Sequence, residues 1–120
     1  MKLELLYFIE TTVFRKQIDK LANVETLFAL QNELLKNPRL GDVIQGAGGA
    51  RKARIGDRKS GRGKSGSFRY IYVYLEKPGV VYLILFYGKN ERDDLEPDQK
   101  KQVAEFIKAA KEIWERKDEK

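Results

Sequence analysis

The sequence contains no cysteine and no histidine. Without cysteine, the chain cannot form disulfides, thiolate nucleophiles or zinc sites built on sulfur, a composition that fits a reducing compartment. The absence of histidine removes the usual general base near neutral pH and the commonest metal ligand. Any catalysis must therefore use Lys, Arg, Tyr, Asp, Glu or Ser side chains. We predict neither a metal site nor a cofactor.

Long hydrophobic segments are also missing. The longest uninterrupted apolar run, "VVYLILFY", extends from Val80 to Tyr87 and is far shorter than the roughly 20 residues of a membrane-spanning helix. The apolar stretch "LLYFI" near the N-terminus lies between Glu4 and Glu10, and no small-residue cleavage site follows it, which argues against a secretory signal. We therefore expect a cytoplasmic protein that does not contact membranes.

The size and composition of the chain fit one domain. It has 120 residues, of which 42% are hydrophobic and 11% aromatic. A domain of this size buries roughly two-thirds of the surface of its unfolded chain. We predict a single domain that spans residues 1–120.

Positive charge is concentrated in one segment, "RKARIGDRKSGRGKSGSFR", residues 51–69. This segment has a net charge of +7, whereas the whole chain has +6, so the rest of the chain sums to about −1. Such a local excess of cations is typical of a site that binds a polyanion. The Gly/Ser-rich tip, residues 58–66, is alternatively a flexible, solvated connection between two strands. It is not a nucleotide-binding loop of the Walker type, because Arg58 occupies the position of the first glycine.

The hydrophobic pattern predicts an α+β fold with a small antiparallel-rich sheet, two N-terminal helices and one C-terminal helix. The first helix follows Thr11 or Thr12 as its N-terminal cap, and the second ends before Pro38. The last helix has the buried stripe Val103, Phe106, Ile107, Ala110 and Trp114. In chain order the predicted elements are a strand at Leu3–Ile9, two helices (the second Glu25–Lys36), strands near Ala50–Ile55, Ser67–Leu75 and Val80–Tyr87, and a helix from about Pro97.

Basic side chains are predicted to converge at one end of this sheet. Strand alternation places Lys52 and Arg54 on the same face, and an antiparallel neighbour can bring Arg69 to the same end. Guanidinium groups bind nonbridging phosphate oxygens and stabilise the charge that develops in a pentavalent transition state. The alternative interpretation is a positively charged strand edge that discourages pairing between sheets.

Polar residues follow the apolar strand abruptly in "FYGKNERDD". Strand ends of this kind often carry functional groups. Tyr87 can stack on a base, Lys89 can extend the cationic cluster, and Glu91 can accept a proton. The alternative is a solvated turn into the last helix, in which Asp93 and Asp94 interact favourably with the helix dipole.

Three segments, "NPRLGDVIQGAGGARKARI", "GSFRYIYVYL" and "LILFYGKNERDDLEPDQKKQ", resemble the RelE superfamily of bacterial toxins, and most closely its HigB-like branch. The resemblance extends from about Val13 to Trp114. It implies a compact α+β domain that enters the ribosomal A site and cuts mRNA there without a metal ion. It also implies a cognate helix-turn-helix, HigA-like antitoxin as a partner.

The resemblance assigns roles to individual positions. Lys52 and Arg54 match the basic residues of the family's first catalytic strand, Arg69 matches the arginine that opens the next strand, and Lys89 lies in the glycine-lysine turn. Asn90 stands where RelE has an arginine, and it matches the HigB-like branch. Lys52 or Glu91 is then the general base, and Arg69, Lys89 or Tyr87 assists the leaving oxygen. The predicted catalytic residues are Lys52, Arg54, Arg69, Lys89 and Glu91, and the predicted substrate- and ribosome-binding residues are Arg51, Arg58, Lys59, Arg62, Lys64, Tyr87 and Asn90.

The sequence thus favours an mRNA endonuclease toxin that uses the RNA 2′-hydroxyl as the nucleophile and inhibits translation. Two other functions fit parts of the pattern. ParE-like relatives of similar fold inhibit DNA gyrase without catalysis, although they generally lack the cluster of Lys52, Arg54 and Arg69. A plain nucleic-acid-binding module would account for the basic segment alone.

Overall fold

The computed structural model describes residues 5–57, 68–88, 91 and 94–118. Five strands form one sheet in the order β1-β5-β4-β3-β2, in which β1 pairs parallel with β5 and all other neighbours are antiparallel. The α+β prediction is confirmed. The elements in chain order are β1 (Tyr7–Glu10), α1 (Thr12–Leu21), α2 (Val24–Lys36), β2 (Asp42–Val43), β3 (Arg51–Ile55), β4 (Phe68–Leu75), β5 (Val80–Tyr87) and α3 (Pro97–Asp118).

Side-chain caps begin the first two helices. The Thr11 hydroxyl accepts a hydrogen bond from the Phe14 N–H at 3.0 Å, so Thr11 rather than Thr12 is the cap of α1. The Asn23 side chain accepts from the Thr26 N–H at the start of α2. Each cap satisfies a backbone donor that has no partner within the helix.

Helices cover both faces of the sheet. Phe14 and Ile18 of α1 and Leu30 and Leu34 of α2 are buried against one face. Helix α3 packs on the other face, where Val103 and Ile107 join a second buried cluster, and the Trp114 indole N–H donates to the Tyr82 hydroxyl at 3.0 Å. The strands β4 and β5 are therefore apolar on both sides, as predicted. Among the helices of the described residues, none is long and apolar enough to cross a membrane.

Three details differ from the sequence prediction. The first strand begins at Tyr7, since Leu5 and Leu6 are not part of it and Leu3 lies outside the described residues. Strand β2 was not predicted because a pair of residues is too short to show alternation. Phe106 is 36% exposed rather than buried, because its ring lies at the flank of α3 and makes an edge contact with Tyr82.

A bulge in β5 links the sheet to α1. Ile71 pairs with Leu85 and Tyr72 pairs with Leu83, so Ile84 is an extra residue in β5. Its carbonyl accepts the Thr11 hydroxyl at 2.7 Å. Ile84 and Leu85 both lie on the side of the cluster beneath α3, so the alternation of β5 shifts by one residue at the bulge. Tyr87 therefore faces α3, although Leu83 faces α1 and α2.

The loop before β2 is held against the sheet by one tyrosine. The Tyr72 hydroxyl accepts from the Gly41 N–H at 2.9 Å and donates to the Pro38 carbonyl at 2.8 Å. The backbone at Gly41 approaches β3 so closely that a Cβ there would lie 2.8 Å from the Lys52 carbonyl oxygen. The loop is therefore packed directly beside the basic strand.

We predict that Tyr72→Phe destabilises the protein by about 1–3 kcal/mol, because the buried Gly41 N–H and the Pro38 carbonyl lose their partner. Urea unfolding followed by circular dichroism measures the change. Tyr74→Phe is the matched control, since the Tyr74 ring is half-buried on the same face and its hydroxyl makes no hydrogen bond to the part of the chain that the structure describes. Equal stabilities of the two variants would show that the Tyr72 hydrogen bonds do not hold the loop.

Candidate active site

Three side chains form a row across the end of the sheet. Arg54 of β3 is the Cα partner of Arg69 of β4, and Arg69 is the Cα partner of Tyr87 of β5. Directly opposed residues of neighbouring strands project to the same face of a sheet. The row therefore joins two guanidinium groups and a phenol on the face that α3 covers.

The two arginines lie directly opposite each other in neighbouring strands. Like charges on directly opposed residues destabilise strand pairing. Arg54 is exposed and Arg69 is half-buried, so the pair is not a purely solvated strand edge. Local rules of folding are most often broken where function requires it, and the row is therefore the strongest candidate for a functional site.

Lys52 extends this site along β3. It lies two residues before Arg54 and therefore on the same face. Its backbone and side chain line two adjoining depressions. The β2–β3 cleft, about 320 Å³, is lined by Leu40, Gly41, Asp42, Lys52, Ala53 and Arg54. The Lys52 groove, about 330 Å³, is lined by Asp42, Val43, Ile44, Gln45, Lys52, Asp94, Leu95 and Lys100.

Tyr87 is a neutral phenol in this site. Its burial raises its pKa to about 12, and the nearby Glu91 carboxylate contributes to the same shift. Glu91 is exposed, and its N–H donates to the Gly88 carbonyl at 3.3 Å, which closes the turn after β5. A phenol with a raised pKa retains its proton at neutral pH, so Tyr87 is suited to donate a proton and not to accept one.

Arg51 lies apart from the row. It is adjacent to Lys52 in β3 and consequently projects to the opposite face. Its guanidinium donates to the Gly41 carbonyl at 2.8 Å and to the Arg39 carbonyl at 3.2 Å. These contacts support the loop beside β3, and the binding role predicted for Arg51 stays a prediction.

The structure thus brings together Lys52, Arg54, Arg69 and Tyr87, with Glu91 beside Tyr87. The remaining predicted residues lie outside the described part of the chain: Arg58, Lys59, Arg62, Lys64, Lys89 and Asn90. Their roles stay predictions. Within the described ranges, no group of three or more acidic side chains is arranged to hold a metal ion.

The sequence pattern predicts Glu91 in this site but not the two acidic residues beside Lys52. Asp42 is the Cα partner of Lys52, and the Asp94 carboxylate lies 3.0 Å from the Lys52 ammonium. Asp42 belongs to the unpredicted strand β2, so its register was not available. Asp94 was interpreted as a dipole partner of the last helix, and nothing in the local sequence indicates its contact with a residue 42 positions away.

We predict that Tyr87 reduces stability at high pH. Because its pKa is raised in the folded protein, the stabilisation from the neutral buried phenol is complete below about pH 10 and is lost as the pH rises towards about 12. With allowance for its partial exposure, the difference in unfolding free energy between wild type and Tyr87→Phe should change by about 1–2 kcal/mol over this range. Urea unfolding at a series of pH values measures it, and a difference that stays constant with pH would contradict a raised pKa.

The solved structures that resemble this chain in fold are those of one toxin. No family model matches the chain. Among solved structures, a double mutant of E. coli toxin RelE in the free state is 20% identical and has a TM-score of 0.53, covering 71% of this chain and 84% of its own. RelE in the intact E. coli RelBE toxin-antitoxin complex is 22% identical with a TM-score of 0.54, at coverages of 73% and 100%. Isolated E. coli RelE toxin is 24% identical with a TM-score of 0.53, at 82% and 99%. The chain therefore has a RelE-like fold.

Proposed function

We propose that this protein is the toxin of a toxin–antitoxin module, and that it cleaves mRNA in the ribosomal A site. The observation that carries the proposal is the row of Arg54, Arg69 and Tyr87, with Lys52 beside it, at one end of a RelE-like sheet. The sequence resemblance to the HigB-like branch matches the same basic positions. The row supplies the charge that phosphodiester cleavage requires, in a chain without histidine.

The proposed reaction is an intramolecular transfer within the RNA. The 2′-hydroxyl oxygen attacks the adjacent phosphorus, the bond to the 5′-oxygen breaks, and the products are a 2′,3′-cyclic phosphate and a free 5′-hydroxyl. Arg54 and Arg69 bind the nonbridging oxygens and stabilise the added negative charge of the pentavalent transition state. Their backbones are fixed by strand pairing, so little reorganisation is needed during the reaction.

Proton transfer completes this scheme. The Tyr87 phenol, which is protonated at neutral pH, donates its proton to the leaving 5′-oxygen. The 2′-hydroxyl loses its proton to Glu91 or to Lys52, the acceptors that the sequence predicts. With Glu91 as the acceptor, Lys52 remains a cation that binds a phosphate oxygen. No step of the scheme requires a metal ion. The requirement for a 2′-hydroxyl restricts the substrate to RNA.

The partners follow from the charge and from the resemblance. Cationic residues 58–64 are proposed to contact ribosomal RNA, with an association that weakens as salt rises. RelE in one similar structure is bound in the RelBE toxin-antitoxin complex. We propose a cognate antitoxin for this chain as well, of the helix-turn-helix, HigA-like kind, and we place both proteins in the cytoplasm with the ribosome.

The gyrase-inhibitor alternative shares the fold but not the site. A protein that blocks gyrase by occupying a surface does not require two directly opposed guanidinium groups next to a lysine and a tyrosine. A plain nucleic-acid-binding module likewise needs surface cations but no protonated phenol positioned beside them. The combined row favours catalysis over both alternatives.

We predict that Arg69→Ala reduces the rate of mRNA cleavage on programmed ribosomes by about 10²–10³-fold, as expected for the loss of one positioned charge donor. Ribosome binding should be retained, because the other cations are unchanged. Single-turnover cleavage followed by primer extension, with co-sedimentation for binding, measures both quantities.

The matched control is Arg39→Ala, because Arg39 is an exposed arginine that pairs with Glu76 near the opposite end of β4. It should cleave like the wild type. Full activity of Arg69→Ala would remove Arg69 from the site. Absence of cleavage by the wild type, together with inhibition of gyrase supercoiling, would replace the proposed function by the ParE-like one.

A further inference from the structure

Lys52 forms an ion pair with Asp94 on the side of the sheet that faces α3. The Lys52 ammonium nitrogen lies 3.0 Å from the Asp94 carboxylate oxygen Oδ1, and the two side chains are 29% and 85% exposed, respectively. Lys52 belongs to the cationic site, whereas Asp94 belongs to the segment just before α3. The pair therefore places a carboxylate next to a cation that the proposed reaction needs for RNA.

The backbone on both sides of the pair is well anchored. Leu95, next to Asp94, is buried in the cluster beneath α3. Glu96 follows, and its N–H donates to the Gln99 side chain at 2.9 Å, while its carbonyl accepts from the Lys100 N–H in the first backbone hydrogen bond of α3. On the other side, Lys52 lies within a strand paired to both β2 and β4. The carboxylate is thus held beside Lys52 by the fold.

The Lys52 groove has a balanced charge as a result. Its titratable lining residues are Asp42, Asp94, Lys52 and Lys100, two of each sign. The hydrogen bond and charge of Lys52 lower the pKa of Asp94, with a further contribution from Lys100, so the Asp94 carboxylate is ionised at neutral pH. Without Asp94 the groove would carry a net positive charge beside the two arginines.

The exposure of Asp94 determines how firmly the pair holds. Ion pairs between exposed side chains contribute little to stability, because water and salt screen them and both side chains lose conformational freedom. An RNA phosphate oxygen that reaches Lys52 therefore displaces the Asp94 carboxylate at a small cost in free energy. The geometry is that of a replaceable anion and not of a permanent structural bridge.

We propose that the Asp94 carboxylate competes with the RNA phosphate for Lys52. The carboxylate is paired with the Lys52 ammonium in the free protein and must be displaced when substrate binds. This inference rests on the proposed function, since it takes the incoming anion to be mRNA. Removal of the carboxylate charge should increase the apparent affinity for substrate. A residue that instead positions Lys52 for catalysis would produce the opposite effect when neutralised.

The test is single-turnover cleavage on ribosomes programmed with mRNA, with the protein concentration varied to obtain the half-saturating concentration and the maximal rate. Asp94→Asn should lower the half-saturating concentration about two- to fivefold, the range open to an exposed ion pair, with the maximal rate unchanged or higher. The matched control is Asp98→Asn, which removes the same charge from an exposed residue in the first turn of α3. It should change the half-saturating concentration less than Asp94→Asn does.

The dependence on Lys52 is tested in a second background. In Lys52→Gln, the cation is absent, so the further change Asp94→Asn should tighten binding to programmed ribosomes no more than Asp98→Asn does. Co-sedimentation measures this binding, so the comparison does not depend on cleavage. Circular dichroism confirms that each variant is folded. This pair of comparisons separates a specific effect at Lys52 from a general change in net charge.

Two results would overturn the inference while leaving the proposed function intact. One is an Asp94→Asn variant that cleaves with the same half-saturating concentration as Asp98→Asn, and the other is a variant with a reduced maximal rate, which would make Asp94 a positioning residue. Absence of cleavage by the wild type and by every variant would instead overturn the proposed function and the inference with it.

Discussion

The register of β4 between β3 and β5 is the constraint on which the site depends. Arg69 reaches the row only because β4 is paired with Arg54 on one side and with Tyr87 on the other. A slip of one residue in either pairing would move the side chains of a whole strand to the opposite face. The aromatic residues Phe68, Tyr70 and Tyr72 prevent such a slip, since they are buried against α1 and α2. Hydrophobic packing on one face of the strand therefore fixes the charged side chains on the other.

This arrangement explains how an electrostatically unfavourable cluster is tolerated. The cost of opposing Arg54 and Arg69 is small compared with the burial of the large apolar side chains on both faces of β4 and β5, each of which contributes roughly 1.5–3 kcal/mol when fully buried. Acidic groups reduce the remaining repulsion at the β3 side, where Asp42 and Asp94 flank Lys52. The same acids reduce the positive potential around Lys52.

Sequence patterns were sufficient for the parts of the site that regular strands carry. Alternation placed Lys52 and Arg54 on one face and predicted that Arg69 would join them, and the register confirms this. The pattern did not reveal β2 or the parallel pairing of β1 with β5, because neither a two-residue strand nor a long-range edge pairing leaves a local signal. It also did not reveal the contact of Asp94 with Lys52, which arises only when α3 packs on the sheet. The residue roles themselves came from the resemblance to RelE-like toxins and not from the strand pattern.

In the proposed reaction, positively charged groups at the sheet end promote attack by the 2′-hydroxyl of the RNA itself. The most direct measurement places a single 2′-deoxynucleotide at the cleaved position of an mRNA on programmed ribosomes and compares its products with those of the all-ribose mRNA. The account predicts that the all-ribose mRNA yields a 2′,3′-cyclic phosphate and that the substituted mRNA is not cut at that position. Cleavage of the 2′-deoxy substrate at the same position and rate would contradict it.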